Sequence, residues 1–392
     1  MTMASTPKEG LEEKPYIERI LDLRSLLERK SHFLFGPRQT GKTSLVRRSL
    51  QGVKTYDLLD TSVYLALNQT PGRMDQELTS RDRIVVIDEI QRLPLLLNEV
   101  HRLIEERGVR FLLTGSSARK LRQGGINLLG GRARIRYLRP LTYKELGNRF
   151  DLVRAIERGL IPSIYLSDDP RADLRAYTGA YLQQEIVAEG VIRNVPAFSR
   201  FLKVAALCNG TVVNFTNVSN DAQVPRTTIY EYFEILKDTL ILYELPPWRG
   251  SRKRKPLASS KYYFFDVGVV GALQGREFRP GTTEFGEALE TYVMHELVCY
   301  SDYLSQEPLS YWRSTSGFEV DFVLGDHTAI EVKAKENLSA HDLKSLRAIE
   351  EEKKLKHYLC VCLEPRERRV GSIKVVPVLH FLEALWNRQY SP

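Results

Sequence analysis

The sequence has few cysteines and no long hydrophobic run. Four cysteines occur among 392 residues, and their spacing fits neither a zinc site nor the disulfide framework of a small secreted protein. No stretch approaches the roughly 20 consecutive apolar residues of a membrane helix, and the first residues lack the apolar core of a signal peptide. Because these features are missing, we expect a cytoplasmic protein that has no membrane partner.

The composition is that of an ordinary globular protein. Hydrophobic residues make up 43% and charged residues 27% of the chain, which excludes a mainly disordered or collagen-like protein. The length is sufficient for two or three domains with separate cores. The 57 Lys and Arg residues exceed the 49 Asp and Glu residues and give a net charge of +8. This excess mildly favours an anionic partner.

Hydrophobic patterning divides the chain into four blocks and a linker. Residues 16–150 alternate short β-branched runs with helical stretches, which predicts an α/β domain with a parallel sheet. Residues 151–197 are helical, and we expect them to complete that domain. Residues 198–248 have the order of a winged helix-turn-helix, with three helices followed by an apolar ribbon. A basic linker, 249–256, precedes a second α/β domain at 257–392.

The strongest motif is a phosphate-binding loop after the first apolar strand. The sequence GPRQTGKT follows Phe33–Phe35 and matches G-x-x-x-x-G-K-[ST], in which glycines let successive backbone amides face the phosphates. Lys42 is expected to reach the β- and γ-phosphates of ATP, and Thr43 is expected to bind Mg²⁺. A glycine turn without a ligand is the alternative, but a chance match to all four fixed positions is rare. The predicted nucleotide-binding residues are Gly36, Pro37, Arg38, Gln39, Thr40, Gly41, Lys42, Thr43 and Ser44.

Two further strand ends supply the predicted catalytic residues. The run Ile84–Ile87 ends in Asp88 and Glu89. Asp88 is predicted to lie beside the Mg²⁺, and Glu89 is predicted to deprotonate the attacking water. The next run, Phe111–Leu113, ends in Thr114, where a polar side chain can contact the γ-phosphate or the water. A solvated strand end is the alternative for these positions, and it stays open for Thr114.

Arginines after these strands predict catalysis at an interface between subunits. An arginine from a neighbouring subunit can stabilise the charge that develops during phosphoryl transfer. Arg132, in the sequence LLGGR, is the preferred candidate, although a solvated basic surface is the alternative for each arginine. We therefore expect self-association into a ring or another homo-oligomer, with a hexamer as the preferred size.

Residues 16–150 resemble a known ATPase family. The motifs GPRQTGKT, IVVIDEIQ, FLLTGSSAR and LLGGRARIRYLRPLTYKEL occur in this order, and they resemble the AAA-type P-loop ATPases of bacteria and archaea that carry a C-terminal domain of unknown function. The later blocks occupy the places expected in that family, so the resemblance covers nearly the whole chain. It implies hydrolysis of ATP to ADP and phosphate, with ATP and Mg²⁺ as the cofactors.

The C-terminal block contains an acidic motif on two predicted strands. Glu331 and Lys333 lie two residues apart and therefore share one face of a strand, and a hairpin would place Asp321 beside them. The pattern Asp-x(9)-Glu-x-Lys resembles the PD-(D/E)xK nucleases. This resemblance implies a divalent metal shared by the acids and a further acid from the preceding helix, here Glu290 in Phe285–Leu304. Surface ion pairs are one alternative, and a nuclease-like fold that binds DNA without cleaving it is another.

The predicted DNA contacts lie in the basic linker. Residues 249–255 include five cations, which would bind phosphates without regard to sequence. The predicted recognition helix, Thr227–Glu234, carries two acids, which argues against tight insertion into a groove. The predicted contact residues are Arg249, Arg252, Lys253, Arg254 and Lys255.

These features together predict an α/β protein: a P-loop AAA-type ATPase core with a parallel sheet, a winged-helix domain and a nuclease-like C-terminal domain. The predicted function is an ATP-hydrolysing motor or remodeller of branched or duplex DNA. The alternative is a nucleotide-dependent switch that binds a protein partner and retains a non-cleaving nuclease-like fold. Stimulation of ATP hydrolysis by DNA distinguishes the two.

Overall fold

The computed structural model describes residues 15–390 except 118, 120, 122–128, 182–193 and 252–258. The described residues form three modules in chain order: a parallel α/β module, a mostly helical module and a second α/β module. None of the helices in this part of the chain combines the length and the hydrophobicity that a membrane span requires. All four cysteines are free thiols.

The first module alternates strands and helices. Its strands are β1 (Ser31–Phe35), β2 (Lys54–Asp57), β3 (Ile84–Asp88), β4 (Arg110–Gly115) and β5 (Ala133–Tyr137). Its helices are α1 (Leu23–Arg29), α2 (Lys42–Ser49), α3 (Thr61–Gln69), α4 (Arg73–Glu77) and α5 (Leu96–Arg107). The strand order is β2-β3-β4-β1-β5, and every neighbouring pair runs parallel. The parallel sheet predicted for this block is therefore confirmed.

Burial on both faces explains why the central strands are unbroken apolar runs. Residues 85–87 of β3 and 111–113 of β4 are all buried, and alternate residues of these strands belong to two different cores. Such burial is typical of parallel sheets covered by helices on both faces. In the register of the sheet, Phe35 pairs with Gly115. The ends of β1, β3 and β4 therefore lie at one edge, where the candidate site residues follow.

Helices dominate the second module. They are α6 (Tyr143–Leu146), α7 (Leu152–Arg158), α8 (Pro162–Tyr165), α9 (Pro170–Ala176), α10 (Val195–Leu207), α11 (Phe215–Ala222) and α12 (Arg226–Asp238). Side-chain caps begin two of the last three: Asn194 accepts from the N–H of Ala197, and Asn214 accepts from that of Thr216. Pro225 precedes α12, where the missing amide hydrogen costs nothing.

A two-stranded antiparallel ribbon connects the helical module to the C-terminal module. Strand β6 (Leu242–Leu245) pairs with β7 (Lys261–Phe264), and Val212, between α10 and α11, forms a bridge with Lys261. The boundary predicted at residues 256 and 257 falls between the two strands. Strand β7 therefore pairs with β6 rather than with the C-terminal sheet, a pairing that its short apolar run does not specify.

The C-terminal module is a six-stranded mixed sheet with helices against it. Its strands are β8 (Leu309–Arg313), β9 (Glu319–Leu324), β10 (Thr328–Lys333), β11 (His357–Cys362), β12 (Arg368–Val370) and β13 (Ile373–Pro377). Its helices are α13 (Val267–Gln274), α14 (Thr283–Tyr300), α15 (Lys344–Glu350) and α16 (Val378–Trp386). The order is β12-β13-β11-β10-β9-β8. Strands β10, β11 and β13 run parallel, and β8 and β9 are antiparallel to their neighbours.

One continuous apolar core joins the helical and C-terminal modules. It extends from Ile17 through Tyr165 and Phe201 to Tyr292 and Trp386. Large aromatic side chains contribute much of the apolar area that such a core buries. The C-terminal module therefore packs directly on the helices that follow the first sheet.

Candidate nucleotide site and C-terminal acidic cluster

The phosphate-binding loop connects β1 to α2 and requires glycine at two positions. Gly41 has a φ of 92°, in the left-handed region that glycine tolerates. A Cβ atom on Gly36 would lie 2.2 Å from the carbonyl oxygen of Leu138. A side chain at either position would distort the loop, which explains why the motif has glycine there.

Lys42 and Thr40 are buried within this loop. The Nζ of Lys42 donates hydrogen bonds to the carbonyl oxygens of Gly36, at 2.6 Å, and Pro37, at 3.1 Å. The hydroxyl of Thr40 donates to the same Pro37 carbonyl at 2.8 Å. The lysine ammonium therefore lies inside the curve of the loop, where a cation can neutralise phosphate oxygens.

A buried arginine outside the motif connects the loop to the end of the sheet. The side chain of Arg19 is 3% exposed and forms a 2.9 Å ion pair with Glu145. The same guanidinium donates to the carbonyl oxygens of Thr40 and Arg139, each at 2.6 Å. Arg139 follows β5, so one side chain joins the loop to the neighbouring strand. No motif marks Arg19, because a lone arginine before the first strand carries no sequence signal.

Asp88, Thr43 and Thr114 meet at the edge of the sheet. The hydroxyl of Thr43 donates to Oδ2 of Asp88 at 3.2 Å, and the hydroxyl of Thr114 donates to the other carboxylate oxygen. Asp88 is 5% exposed. A hydroxyl and a carboxylate are oxygen ligands of the kind that Mg²⁺ prefers. Thr43 and Asp88 therefore fit the predicted metal by the chemistry of their donor atoms.

Glu89 is held beside this group by a buried amide. Its φ is 60°, and its backbone N–H donates to the hydroxyl of Thr114 at 3.4 Å. The side-chain amide of Gln91 donates to the carboxylate of Glu89 and, at 3.2 Å, to the hydroxyl of Ser116. A Cβ atom on Gly115 would lie 2.3 Å from Oε1 of Gln91, so this glycine provides the space for the amide. Gln91 thereby fixes the direction of the Glu89 carboxylate.

A cavity of about 1310 Å³ opens beside the loop. Loop residues 38–44 and Glu89 are among its lining residues. The guanidinium of Arg48 lies 4.2 Å from the ring centroid of Tyr16. A lining that combines apolar side chains with a few polar and charged groups is typical of a ligand pocket. The apolar and aromatic lining residues, which no motif marks, include Tyr16, Ile17, Leu141, Ile164 and Tyr177.

Arg132 lies at the opposite edge of the sheet from the loop. It precedes Ala133, the first residue of β5, which pairs with Ser31 at the start of β1. The length of β1, roughly 16 Å at 3.3 Å per residue, separates this edge from the loop. The guanidinium forms an ion pair with Glu105 on α5. Arg132 therefore cannot reach the loop of its own chain, and its predicted role requires the nucleotide of another copy.

The C-terminal sheet brings the predicted acidic residues together. Strands β9 and β10 are antiparallel neighbours, which places Asp321 and Glu331 on adjacent strands. Asp321 accepts a hydrogen bond from the N–H of Val332 at 2.8 Å, and Lys333 forms a 2.5 Å ion pair with Glu331. Glu290 approaches the same region from α14, because Lys261 lies 3.7 Å from its carboxylate and also pairs with Glu319 of β9 at 2.6 Å.

Loss of solvation and mutual repulsion raise the pKa values of these carboxyl groups. Burial and the charge of Asp321 raise the pKa of Glu290 to about 7 and hold the pKa of Glu331 well above its ordinary value. Burial also raises the pKa of Asp321, against the lowering effect of Lys261 and Lys333. Oε2 of Glu331 is buried without a hydrogen-bond partner. Cations nearby stabilise the charged forms of such groups.

The carboxylates described in this region pair with lysines and do not form the geometry of a metal site. Among the described residues, no three His, Cys, Asp or Glu side chains converge in a way that could hold a metal ion. Lys261 of β7, which no motif marks, forms ion pairs with Glu319 at 2.6 Å and with Glu290 at 3.7 Å. In this arrangement the residues do not fit the predicted divalent metal, and that site stays a prediction. We define the acidic cluster as Glu290, Glu319, Asp321 and Glu331.

The described ends of the basic linker lie against the C-terminal module. The indole N–H of Trp248 donates to Asp326 at 2.8 Å, and the hydroxyl of Ser251 donates to Glu352 at 2.7 Å. Arg249, between them, is exposed. Four of the predicted DNA-contact residues lie outside the described residues: Arg252, Lys253, Arg254 and Lys255.

Helix α12, which contains the predicted recognition helix, exposes groups of mixed character. Tyr230 is 41% exposed and stacks on Phe215, with ring centroids 4.1 Å apart. Arg226 donates to the Tyr230 hydroxyl at 3.0 Å, whereas Glu231 and Glu234 are exposed on the same helix. Because both signs of charge are present, this face suits a protein surface as well as a nucleic acid.

Three regions of the chain match the models of three domain families. Residues 28–147 match an AAA domain, residues 149–279 match a domain of unknown function (DUF8612), and residues 285–381 match another domain of unknown function (DUF4143). The first match covers the parallel sheet and the phosphate-binding loop. The second covers both strands of the ribbon.

Relatives of the chain occur in bacteria and archaea. The chain is 28% identical over 297 residues to the uncharacterized protein Rv2008c of Mycobacterium tuberculosis, in an alignment that covers 74% of this chain and 66% of the relative. The chain thus spans slightly less than two thirds of the length of that relative. It is 22% identical over 341 residues to the uncharacterized protein MJ1544 of Methanocaldococcus jannaschii, covering 79% and 75% of the two chains.

Similar solved structures include the Aeropyrum pernix ORC1 protein in complex with DNA, which is 18% identical to this chain. The comparison covers 67% of this chain and 94% of that chain, with a TM-score of 0.26. The replication initiator DnaA bound to AMPPCP and single-stranded DNA is 12% identical, with a TM-score of 0.28 over 55% and 85%. TM-scores this low carry no functional argument. The domain matches and the geometry of the loop and sheet agree with each other: residues 28–147 have the fold and the phosphate-binding loop of an AAA-type P-loop domain, and residues 285–381 match the DUF4143 domain.

Proposed function

We propose that the chain hydrolyses ATP at the phosphate-binding loop and uses the energy to move or remodel branched or duplex DNA. One observation carries the ATPase part. Asp88, at the end of β3, accepts hydrogen bonds from Thr43, the residue after Lys42 in α2, and from Thr114, near the end of the neighbouring strand β4. A phosphate cradle and a catalytic carboxylate at one edge of a parallel sheet are the parts that phosphoryl transfer requires.

Each residue of the site has a distinct task in this proposal. Lys42 neutralises the phosphate oxygens, and Thr43 and Asp88 would hold Mg²⁺, which when bound supplies positive charge and orients the phosphates. Glu89 accepts the proton of the attacking water. Gln91 supports this role, because its amide contacts the Glu89 carboxylate and restricts the rotation of the base.

The DNA part of the proposal depends on the charge of the basic linker. Five cations in residues 249–255 form the densest basic run near a module junction, and each phosphate contact they make would release condensed counterions. Trp248 and Ser251 fix the start of this run to the C-terminal module. DNA bound by the linker would therefore lie against that module.

Assembly and location complete the proposal. The distance between Arg132 and the loop of its own chain favours a homo-oligomer, with a ring and a hexamer preferred, in which Arg132 serves the neighbouring nucleotide. We propose a cytoplasmic location.

The C-terminal module contributes a nuclease-like fold to this proposal. Asp321, Glu331 and Lys333 on adjacent strands, with Glu290 on a neighbouring helix, support the resemblance to the PD-(D/E)xK nucleases. No cleavage step follows from the observed arrangement, because the acidic cluster pairs with lysines. Metal-dependent cleavage of DNA stays a prediction.

A second candidate function is a nucleotide-dependent switch that binds a protein partner. The exposed acids Glu231 and Glu234 on α12 favour it, because they would repel DNA phosphates from that face. Arg226 and Tyr230 provide the kind of aromatic and cationic contact that protein interfaces favour.

The test is the ATPase rate of the full chain against single-stranded, duplex, forked and four-way DNA. We expect branched or duplex DNA to stimulate hydrolysis, and we expect replacement of the five linker cations by glutamine to abolish the stimulation while leaving the basal rate intact. Lys42→Ala controls for contaminating ATPases, because it removes the cation in the cradle. Hydrolysis that responds to none of the DNAs would contradict the DNA part and favour the protein-binding switch.

A further inference from the structure

Lys261 belongs to the ribbon, and its buried ammonium group contacts carboxylates of the C-terminal module. It is the first residue of β7, and its side chain is 3% exposed. A buried ammonium is costly unless anions compensate it. Its partners are Glu319 at 2.6 Å and Glu290 at 3.7 Å, and it lies 5.4 Å from the ring centroid of Tyr311.

The two lysines approach the acidic cluster from different elements. Lys333 belongs to β10 and pairs with Glu331, whereas Lys261 comes from the ribbon. The charges of both ammonium groups oppose the rise in the pKa of Asp321 that burial causes. A third cation, the guanidinium of Arg313, lies 3.2 Å from the carboxylate of Glu319. The positive charge that a divalent metal would bring is therefore already supplied by side chains.

Lys261 also differs from Lys333 in being outside the nuclease-like motif. The ribbon holds it by pairing β7 with β6 and by its bridge to Val212. Tyr263, two residues after Lys261 on β7, donates to Glu290 at 2.6 Å, so the ribbon makes two polar contacts with the same carboxylate.

We propose that Lys261 is a built-in counter-ion that occupies the acidic cluster in place of a divalent metal, so that its ammonium group and such a metal exclude each other. Oε2 of Glu331, buried and without a partner, is the oxygen that remains available to an incoming cation. This inference goes beyond the proposed ATPase function, and its test requires neither ATP nor DNA.

The test is a Mn²⁺ titration of the full chain, followed by thermal unfolding. Trp312 of β8 reports on the C-terminal module. Removing the ammonium in Lys261→Met should let Mn²⁺ stabilise the module at concentrations at least about tenfold below those that the wild type requires, because ligand stabilisation follows the ratio of concentration to Kd. Adding Asp321→Asn to that variant should remove the effect, which places the metal in the acidic cluster. Lys335→Met is the matched control, because Lys335 is 55% exposed and pairs with Asp342 outside the cluster.

Equal Mn²⁺ responses of the wild type and Lys261→Met would overturn the proposal, and so would the absence of any response in that variant. A cooperative thermal transition of Lys261→Met without metal, followed by tryptophan fluorescence, shows that the C-terminal module of the variant is folded. A second measurement needs no variant. Amine-reactive labelling of Lys261, read by mass spectrometry, should be slow without metal and should increase as Mn²⁺ is added to the wild type. Labelling that does not change at any Mn²⁺ concentration the protein tolerates contradicts the displacement of Lys261.

Discussion

Removal of the Arg19 guanidinium should destabilise the phosphate-binding loop and weaken ATP binding. Arg19→Met keeps the apolar part of the side chain but removes the ion pair with Glu145 and the hydrogen bonds to the carbonyl oxygens of Thr40 and Arg139. The loop then loses its fixed connection to the segment after β5. ATP should bind less tightly, because part of its binding free energy must order the loop.

The magnitude follows from the burial of the pair. Removing one partner of a buried ion pair costs about 3–5 kcal/mol, since the remaining charge stays desolvated. Glu145 keeps hydrogen bonds from the N–H groups of Ile20, at 3.0 Å, and Thr142, at 3.1 Å. These partners partly compensate its charge, so we expect about 3 kcal/mol, at the lower end of that range. Arg19→Lys should lower the stability by less, because the lysine ammonium keeps the positive charge although it lacks the several N–H donors of the planar guanidinium.

The assay must report on the first module alone. All three tryptophans lie at position 248 or later, so their fluorescence does not follow this module. Hydrogen exchange of peptides from residues 15–147, together with nucleotide titration, measures both effects. Arg24→Met is the matched control, because Arg24 is exposed and its Nε donates to the carbonyl oxygen of Ser49.

Exchange protection of residues 36–44 that is as strong in Arg19→Met as in Arg24→Met would refute this reasoning. If Arg19→Met loses exchange protection in the loop but binds ATP as tightly as the wild type, loop stability does not control nucleotide binding. That result would refute the predicted loss of ATP affinity.

Three further predictions concern assembly, DNA and pH. Mixing Arg132→Ala chains with Lys42→Ala chains should restore part of the ATPase activity that each lacks, because some sites then combine an intact loop with an intact arginine; no recovery at any ratio would exclude Arg132. Neutralising the cations of residues 249–255 should reduce the log–log salt dependence of DNA binding by about 0.9 per lost phosphate contact; an unchanged slope would place the contacts elsewhere. Burial raises the pKa of Glu296 to about 7. As pH rises above its ordinary pKa, the unfolded chain releases this proton first, so stability should fall by up to about 1.4 kcal/mol per pH unit between about pH 5 and 7. Glu296→Gln should flatten that part of the thermal-unfolding profile, and an equal slope in the variant would refute this assignment.

The first module could be predicted from the sequence because its signals are local. Strands buried on both faces form continuous apolar runs, as in Ile84–Ile87. The loop requires glycine at fixed positions for steric reasons, as the contact between Gly36 and Leu138 shows. Parallel pairing then brings Asp88 and Thr114 together without further information.

The remaining features depend on contacts between distant segments. Arg19 contacts Glu145, which lies 126 positions later, and no local pattern records such a pair. Strand β7 has an apolar run that suits either the ribbon or the C-terminal sheet, so its partner and the position of Lys261 were not predictable. Gln91 lies in a short turn after β3, where its contact with Glu89 depends on a left-handed backbone.

Single-turnover hydrolysis of ATP by the wild type and by Glu89→Gln tests the assignment of the site most directly. Both proteins should bind ATP with similar affinity in the presence of Mg²⁺, because the amide keeps the shape of the side chain. The variant should hydrolyse bound ATP roughly 100-fold more slowly or worse, because an amide cannot accept the proton of the attacking water. Equal rates in the two proteins would remove Glu89 from the mechanism and contradict the assignment of this edge of the sheet as the hydrolytic site.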